Sequence, residues 1–206
     1  KIICDYLHNE DIVMSTTATP MGAEPVGGLS ACGSFSGKVR HIKIASAYAA
    51  TIFYGDFVKL VATGTVEKDT GTATLTPVGI FMGCFYTDPN TSQPTFNQSW
   101  PTGTVASDAM AYVLDDPDAV FRMQGNAALA QTTLGNNIAV VQTAGTVQAG
   151  RSHNSVNAGT AATTNTLPLR ILEFVDGPES AVGDAFTDVL LTYNAGMHQY
   201  RRALGT

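Results

Sequence analysis

The sequence LTPVGIFMGCFY, residues 75–86, is an almost unbroken run of β-branched, aromatic and other apolar residues. A run of this length is typical of a strand that is buried on both of its faces. Gly79 and Gly83 inside the run permit a bulge or a close approach of another backbone, which a small and strongly curved sheet requires. The run therefore predicts a buried strand of a β-rich fold.

Other runs extend this pattern along the chain. IFYGDFVKLV, residues 52–61, predicts a strand, a bend at Gly55-Asp56 and a second strand. Further strands are predicted at residues 95–100, 109–114, 120–124, 138–142, 167–175 and 186–193. A short helix at residues 127–134 is the only helical segment that the pattern supports. Such spacing favours an all-β fold: a small β-barrel, a β-tulip-like module or a β-sandwich.

The chain divides into an extended arm and one β-domain. Prolines and glycines interrupt residues 14–37 so often that neither a strand nor a helix period lasts there, and we expect residues 1–37 to form an N-terminal arm. Met14 followed by STTAT resembles an initiation site, so residues 1–13 are a true arm, a precursor remnant or an upstream extension. Residues 38–206 form the domain, with residues 145–166 as a long loop or an irregular hairpin.

Composition excludes several classes of partner. The 206 residues are only 14% charged and carry a net charge of −6 without any basic run, and soluble globular proteins usually contain about 25% charged residues. Nucleic-acid binding through phosphate neutralisation is therefore not expected. No apolar stretch approaches a membrane span and no signal peptide is recognisable, so we expect synthesis in a cytoplasm and no membrane partner.

No motif of enzyme chemistry is present. Gly33-Ser34-Phe35-Ser36-Gly37 misses a nucleophile elbow because Phe35 stands where the serine belongs. The three cysteines form no paired motif, and the four histidines lack carboxylate or cysteine neighbours at ligand-like spacing. The acidic run Asp115-Asp116-Pro117-Asp118 favours a turn over a calcium site, because the regular calcium-loop pattern is missing. We therefore predict no catalytic residue, no cofactor and no metal.

Four segments carry a resemblance to a known family. They are MSTTATPMG at residues 14–22, GDFVKL at 55–60, TPVGIFMGCFYTDP at 76–89 and FVDGP at 174–178. In this order they resemble structural proteins of tailed bacteriophages, above all the capsid decoration or cement proteins of phages of aquatic bacteria. The resemblance spans most of the chain from Met14 onward. It implies a β-module that binds the major capsid protein outside an expanded shell, as a trimer or, in some members, as a dimer or monomer. An extended arm that often reaches between capsomers is also implied.

Candidate contact residues follow from the arm and from exposed-looking aromatic and basic groups. Trp100, the single tryptophan, lies before Pro101 in a polar loop. It either anchors a contact with another chain or belongs to a small core beneath that loop. The chain ends in an aromatic and basic stretch that contrasts with its acidic remainder. The predicted partner-binding residues are Met14, Pro20, Met21, Pro25, Val26, Leu29, Phe35, Trp100, His198, Tyr200, Arg201 and Arg202.

Other functions stay open beside capsid decoration. A tail, neck or baseplate subunit, or a receptor-binding module, has a similar composition and differs in copy number. A glycan-degrading enzyme on a β-scaffold requires two carboxylates that face one cleft. Its candidate glutamates are Glu10, Glu24, Glu67, Glu173 and Glu179, and no pattern pairs two of them. A soluble β-domain that binds another protein is the least specific alternative.

Overall fold

A computed structural model describes residues 17–29, 38–177, 180–203 and Gly205. These residues form strands and two short 3-10 helices at Gln131–Thr133 and Gln199–Arg201. The strands are β1 (Glu24–Gly28), β2 (Val39–Lys43), β3 (Phe57–Leu60), β4 (Val66–Lys68), β5 (Gly79–Thr87), β6 (Pro94–Asn97), β7 (Met110–Leu114), β8 (Ala119–Gln124), β9 (Asn137–Val141), β10 (Ser155–Ala162), β11 (Leu169–Phe174) and β12 (Asp188–Tyr193). This content confirms the predicted all-β fold.

The strands form two antiparallel sheets. Sheet 1 has the order β2-β7-β5-β3-β4, and β6 pairs with the second half of β5. Sheet 2 has the order β1-β8-β12-β11-β9-β10. Neither sheet closes on itself, so the open two-sheet alternative describes the chain and the closed barrel does not. β2 to β7 are thus one sheet, and β8 to β12 with β1 are the other.

The first core lies between the two sheets. Phe57 of sheet 1 meets Phe121 of sheet 2 edge to face, with ring centroids 5.6 Å apart, and Phe121 meets Tyr193 at 5.4 Å. All three side chains are buried, together with aliphatic residues from both sheets. Aromatic contacts of this geometry add to the free energy gained by burying the rings. This core therefore joins the two sheets into one folded unit.

A second core covers the other face of sheet 1. Two segments without regular strands, residues 44–54 and 98–109, supply its outer layer. Trp100 is fully buried there, its backbone bonds to Ile52 in both directions, and its ring meets Tyr86 at 5.4 Å. Trp100 therefore belongs to a core beneath its loop, and its indole ring is not available as an interface anchor.

Most predicted strands appear near their expected positions, but four segments differ. The segment at residues 145–166, predicted as a long loop or an irregular hairpin, contains β10, which pairs with β9 outside that segment. The helix expected at 127–134 is reduced to one 3-10 turn, because two threonines and the preceding Gly125-Asn126 disfavour a longer helix. β2 and β4 come from segments for which no strand was predicted. No helix in the described part of the chain is long and apolar enough to span a membrane.

The expected arm is partly built into sheet 2. β1 pairs antiparallel with β8, and a bulge between Pro25 and Gly27 shifts its register. Edge strands and bulges tolerate proline and glycine, which is why residues read as interruptions still form a strand. Met14 and Phe35, the other arm residues proposed as contacts, lie outside the described residues.

Candidate interaction surface

The N-terminal segment, residues 17–29, is fixed to the body of the protein. Gly22 has a φ of +75°, and a Cβ placed on it would lie 2.6 Å from the Cβ of Ser152, so the backbone approaches its neighbour closely. Ala23 beside it is fully buried in the first core. Four N–H groups of the segment donate to other parts of the chain: Thr19 to Gln124 Oε1 at 2.8 Å, Gly22 to the Asn154 carbonyl at 3.2 Å, Ala23 to the Gly55 carbonyl at 2.9 Å, and Leu29 to the Asp118 carbonyl at 2.9 Å.

Three apolar side chains of this fixed segment face solvent. Met21, Val26 and Leu29 are 43%, 39% and 52% exposed, and we call these three residues the N-terminal strip. Pro20 and Pro25 next to them are half-buried. Val26 is the residue at the bulge of β1, which turns its side chain out of the regular pairing. The strip is therefore an apolar surface whose backbone is already ordered.

One end of the strip adjoins a cation stacked on an aromatic ring. Nη1 of Arg151 lies 3.1 Å from Sδ of Met21, and the guanidinium lies 5.3 Å from the centre of the Tyr54 ring. The Glu24 carboxylate is 3.8 Å from the same guanidinium. Burial raises the pKa of Tyr54, and Arg151 opposes that shift. Arg151 thereby links the strip to the neighbouring face of sheet 1.

That face carries a shallow aromatic groove of about 390 Å³. It forms where β5 passes from pairing with β3 to pairing with β6, at a bulge between Phe81 and Gly83. Gly83 has a φ of +135°, a conformation that favours glycine. The lining residues are Tyr54, Met82, Gly83, Cys84, Phe96, Asn97, Gln98 and Tyr112. Phe96 is 72% exposed, so this groove presents an aromatic ring beside two amide side chains.

The other end of the strip meets the acidic turn between β7 and β8. Arg40 Nε lies 2.6 Å from Asp115, Lys38 Nζ lies 3.8 Å from Asp116, and Arg201 donates to both oxygens of Asp118 at 2.7 Å. The carboxylates therefore serve ion pairs within the chain, as the turn interpretation requires. Across the described ranges, no group of three or more His, Cys, Asp or Glu residues is arranged to hold a metal ion.

The C-terminal residues proposed as contacts have different environments. His198 is 1% exposed, its Nδ1 accepts from the N–H of Tyr200, and burial lowers its pKa to about 4. The Gln199 side chain donates to the Leu60 carbonyl and accepts from the Leu60 N–H, at 3.1 and 2.7 Å. Tyr200 is 44% exposed with the Arg40 guanidinium 5.5 Å from its ring centre, and Arg202 is exposed. The structure thus brings Leu29, Tyr200 and Arg201 to the same acidic turn and places His198 in the interior.

The described side chains among those considered for enzyme chemistry lie far apart in the sheet order. Glu24, Glu67 and Glu173 lie on β1, β4 and β11, three strands that are not neighbours. Glu10 and Glu179 lie outside the described residues. Cys84 is a buried free thiol, and burial raises its pKa to about 12, which makes it a poor nucleophile at neutral pH. Among the described residues, Glu24, Glu67 and Glu173 therefore form no pair of carboxylates.

In comparisons with known proteins, the chain matches no family model, no curated protein and no solved structure. The functional argument therefore depends on the residues of this chain alone. Sequence reasoning named Met21, Val26 and Leu29 as candidate contacts, but it did not find the aromatic groove. The groove residues come from four separate segments, and only the register of β5 against β6 and β7 brings them together.

Proposed function

We propose that this chain is a structural protein of a tailed bacteriophage that binds the outside of the expanded capsid and stabilises it. The major capsid protein is its partner, a homotrimer its assembly, and the capsid exterior its location. The segment resemblance supports this function, and the N-terminal strip is the observation that carries it. Met21, Val26 and Leu29 stay exposed although the backbone between them is bonded to the body of the protein.

A preordered apolar strip suits docking to a rigid surface. Its backbone loses little conformational freedom on binding, because β1 and the bonds around it already hold it in place. An apolar surface rimmed by polar residues is typical of a site of protein association. Many identical copies on a shell convert a modest affinity into a large total stabilisation, and a ligand of the expanded state alone stabilises that state.

The low charge of the chain supports dense packing of like subunits. Only 14% of its residues are charged, and the acidic turn between β7 and β8 is matched by Lys38, Arg40 and Arg201. Repulsion between neighbouring copies is therefore weak at this end of the molecule. Such a surface fits a protein that coats a shell at high local concentration.

Copy number is the direct test of this function. Quantitative mass spectrometry of purified virions gives the ratio of this chain to the major capsid protein. A ratio near one, or a simple fraction such as one third, supports a decoration protein on the shell. A ratio of a few copies per hundred assigns the chain to the tail or neck, and absence from the particle overturns the proposal.

A binding experiment tests the strip itself. The variant Met21→Ser/Val26→Ser/Leu29→Ser should bind purified expanded capsids at least tenfold more weakly than the unmodified chain in a co-sedimentation assay. The control variant Val105→Ser/Leu134→Ser changes two side chains that are 63% and 45% exposed and lie away from β1. It should bind as the unmodified chain does. Equal binding by all three proteins would remove the strip from the interface.

The aromatic groove favours a second candidate, a receptor-binding subunit of the tail. Exposed Phe96, with Tyr54 and Tyr112 and the amides of Asn97 and Gln98, combines ring faces with a few polar groups. Sites for small ligands commonly have this composition. Low copy number together with loss of host-cell attachment in Phe96→Ser phage would support this candidate over capsid decoration.

A further inference from the structure

Asp56 is a completely buried carboxylate between four hydrogen-bond donors. Oδ2 accepts from the Phe53 N–H at 2.9 Å and lies 2.8 Å from Nζ of Lys68. Oδ1 accepts from Ser152 Oγ at 2.6 Å and from Nδ2 of Asn154 at 3.1 Å. Ser152 and Asn154 are also fully buried, and the Lys68 side chain is 13% exposed. One carboxylate thus holds a primary amine on one oxygen and a carboxamide on the other.

The carboxamide of Asn154 is oriented by its surroundings. Its Oδ1 accepts from the Thr143 N–H at 2.9 Å while its Nδ2 donates to Asp56. The reverse orientation of the amide would set a donor against the Thr143 N–H and an acceptor against a carboxylate. The carbonyl of Asn154 therefore points at a fixed N–H donor, which is the arrangement that stabilises negative charge developing on that oxygen.

The surroundings of the amine are mostly buried and crowded. Lys68 Nζ lies 5.9 Å from the centre of the buried Phe53 ring. A Cβ placed on Gly145 would meet that same ring at 2.8 Å and the Arg151 carbonyl at 2.1 Å, so the 145–151 backbone closes tightly over Phe53. Limited access of water disfavours hydrolysis of the Asn154 amide in competition with the amine and strengthens the electrostatic contacts inside the site.

We propose that Lys68 and Asn154 form an intramolecular amide cross-link, with Asp56 carrying the protons. This inference does not depend on the proposed capsid function. Lys68 Nζ is the nucleophile and Asn154 Cγ is the electrophile. Asp56 carries the protons, and the Thr143 N–H donates to the oxyanion. Fixed positions of this kind replace the high concentration that an amine needs in order to attack an unactivated amide.

The reaction balances without any other reagent. Lys68 gives one ammonium proton to Asp56, and the neutral amine attacks Cγ of Asn154 to form the new carbon–nitrogen bond. The oxyanion is held by the Thr143 N–H. Collapse breaks the bond from Cγ to Nδ2, and the leaving nitrogen takes protons from the attacking amine and from Asp56. The products are a secondary amide between the two side chains, one ammonium ion and the Asp56 carboxylate.

The cross-link would join the two sheets covalently. Lys68 ends β4 of sheet 1, and Asn154 directly precedes β10 of sheet 2. A covalent bond between segments so far apart in sequence restricts the unfolded chain and stabilises the folded one. It would also transmit mechanical load between the sheets without relying on core contacts.

Intact mass and peptide mapping test the cross-link. The purified chain should have the mass of its sequence less one ammonia. Trypsin should fail to cleave after Lys68 and should release a branched peptide that joins residues 60–122 to residues 152–170. A mass equal to that of the sequence, or reduced by one water instead, overturns the proposal. The measurement on the unmodified chain decides the matter even if a variant fails to fold.

Two lysine variants serve as a matched pair. Lys68→Arg keeps a cation beside Asp56 but removes the acylable amine, so this variant should show its full sequence mass. Lys59→Arg changes a lysine on the neighbouring strand β3, where Lys59 pairs with Glu67 of β4. This variant should still lose one ammonia. Loss of ammonia in Lys68→Arg would show that another residue reacts and would overturn the assignment.

Discussion

Gly79 on β5 lies so close to Leu114 on β7 that a Cβ on the glycine would be 2.2 Å from the Leu114 carbonyl oxygen. Neither backbone has room to retreat, because Ile80 and Leu114 pair directly beside this contact and both are buried. The absence of a side chain at residue 79 therefore sets the distance between the two central strands of sheet 1.

Gly79→Ala should lower the free energy of unfolding by about 1–3 kcal/mol, because overpacking forces the strands apart. Gly27→Ala on β1 is the matched control, since a Cβ at that position meets nothing within 4 Å. It should change the free energy of unfolding by less than about 1 kcal/mol. An increase is expected, because alanine restricts the conformations of the unfolded chain. Urea unfolding of both variants measures the difference. Equal costs would show that the contact with Leu114 is relieved in solution.

Trp100→Ala should cost about 3–5 kcal/mol of folding free energy, because it empties the centre of the second core. Phe96→Ala removes a ring that is 72% exposed and should cost less than about 1 kcal/mol, most of it from the contact with Phe85. Thermal or urea unfolding checks both values. A small effect at Trp100 would contradict its role in the core.

The strands rich in large apolar residues were predictable from the sequence, and the missed strands lack such residues. β1 (EPVGG) contains a proline and two glycines, β2 (VRHIK) is mostly exposed, and β10 (SVNAGTAA) is small and polar. These strands pair along the edges of the sheets, where backbone bonds and not side-chain burial determine the structure. Local periodicity carries no signal for such pairing.

The polar contacts were equally invisible in the sequence. Asp56, Lys68 and Asn154 belong to three distant segments, and Asp56 was noticed only as part of a bend. The N-terminal strip was named from its position in an interrupted segment, yet the bonds that fix it come from Asn154, Gly55 and Asp118. Tertiary pairing supplies that information, and one sequence does not.

His198 should make the protein less stable as the pH falls. Its pKa in the folded chain is lowered to about 4 by burial, whereas an unfolded histidine titrates near ~6.5. The unfolded chain therefore binds the proton first, and stability is lost between those two values and levels off below the lower one. Above the higher value His198 is neutral in both states and contributes no pH dependence.

His198→Asn keeps an acceptor for the Tyr200 N–H but cannot be protonated in this range. Urea unfolding at about pH 7.5 and at about pH 4.5 should show a smaller loss of stability in this variant than in the unmodified chain. His41→Asn, at an exposed position on β2, should retain the unmodified pH dependence. Parallel pH profiles for the unmodified chain and His198→Asn would contradict the buried neutral histidine.

Truncation separates the two parts of the N-terminal region. Removal of residues 1–16 keeps residues 17–29 with their hydrogen bonds to Gln124, Asn154, Gly55 and Asp118, and the melting temperature of this truncation is the reference value. Removal of residues 1–29 deletes β1 and the buried Ala23 and should lower the melting temperature by roughly 10 °C. Scanning calorimetry of both truncations measures this. An unchanged melting temperature after the longer truncation would contradict the pairing of β1 with β8.

The assignment of β1 to the sheet formed by the second half of the chain has a consequence for synthesis on the ribosome. Every strand of sheet 1 is synthesised between β1 and β8, so β1 leaves the exit tunnel six strands before its partner does. In a polysome, a neighbouring nascent chain presents the same β8 edge at the same stage. The order of translation thus gives this protein an interval in which β1 can pair with its own chain or with the next one.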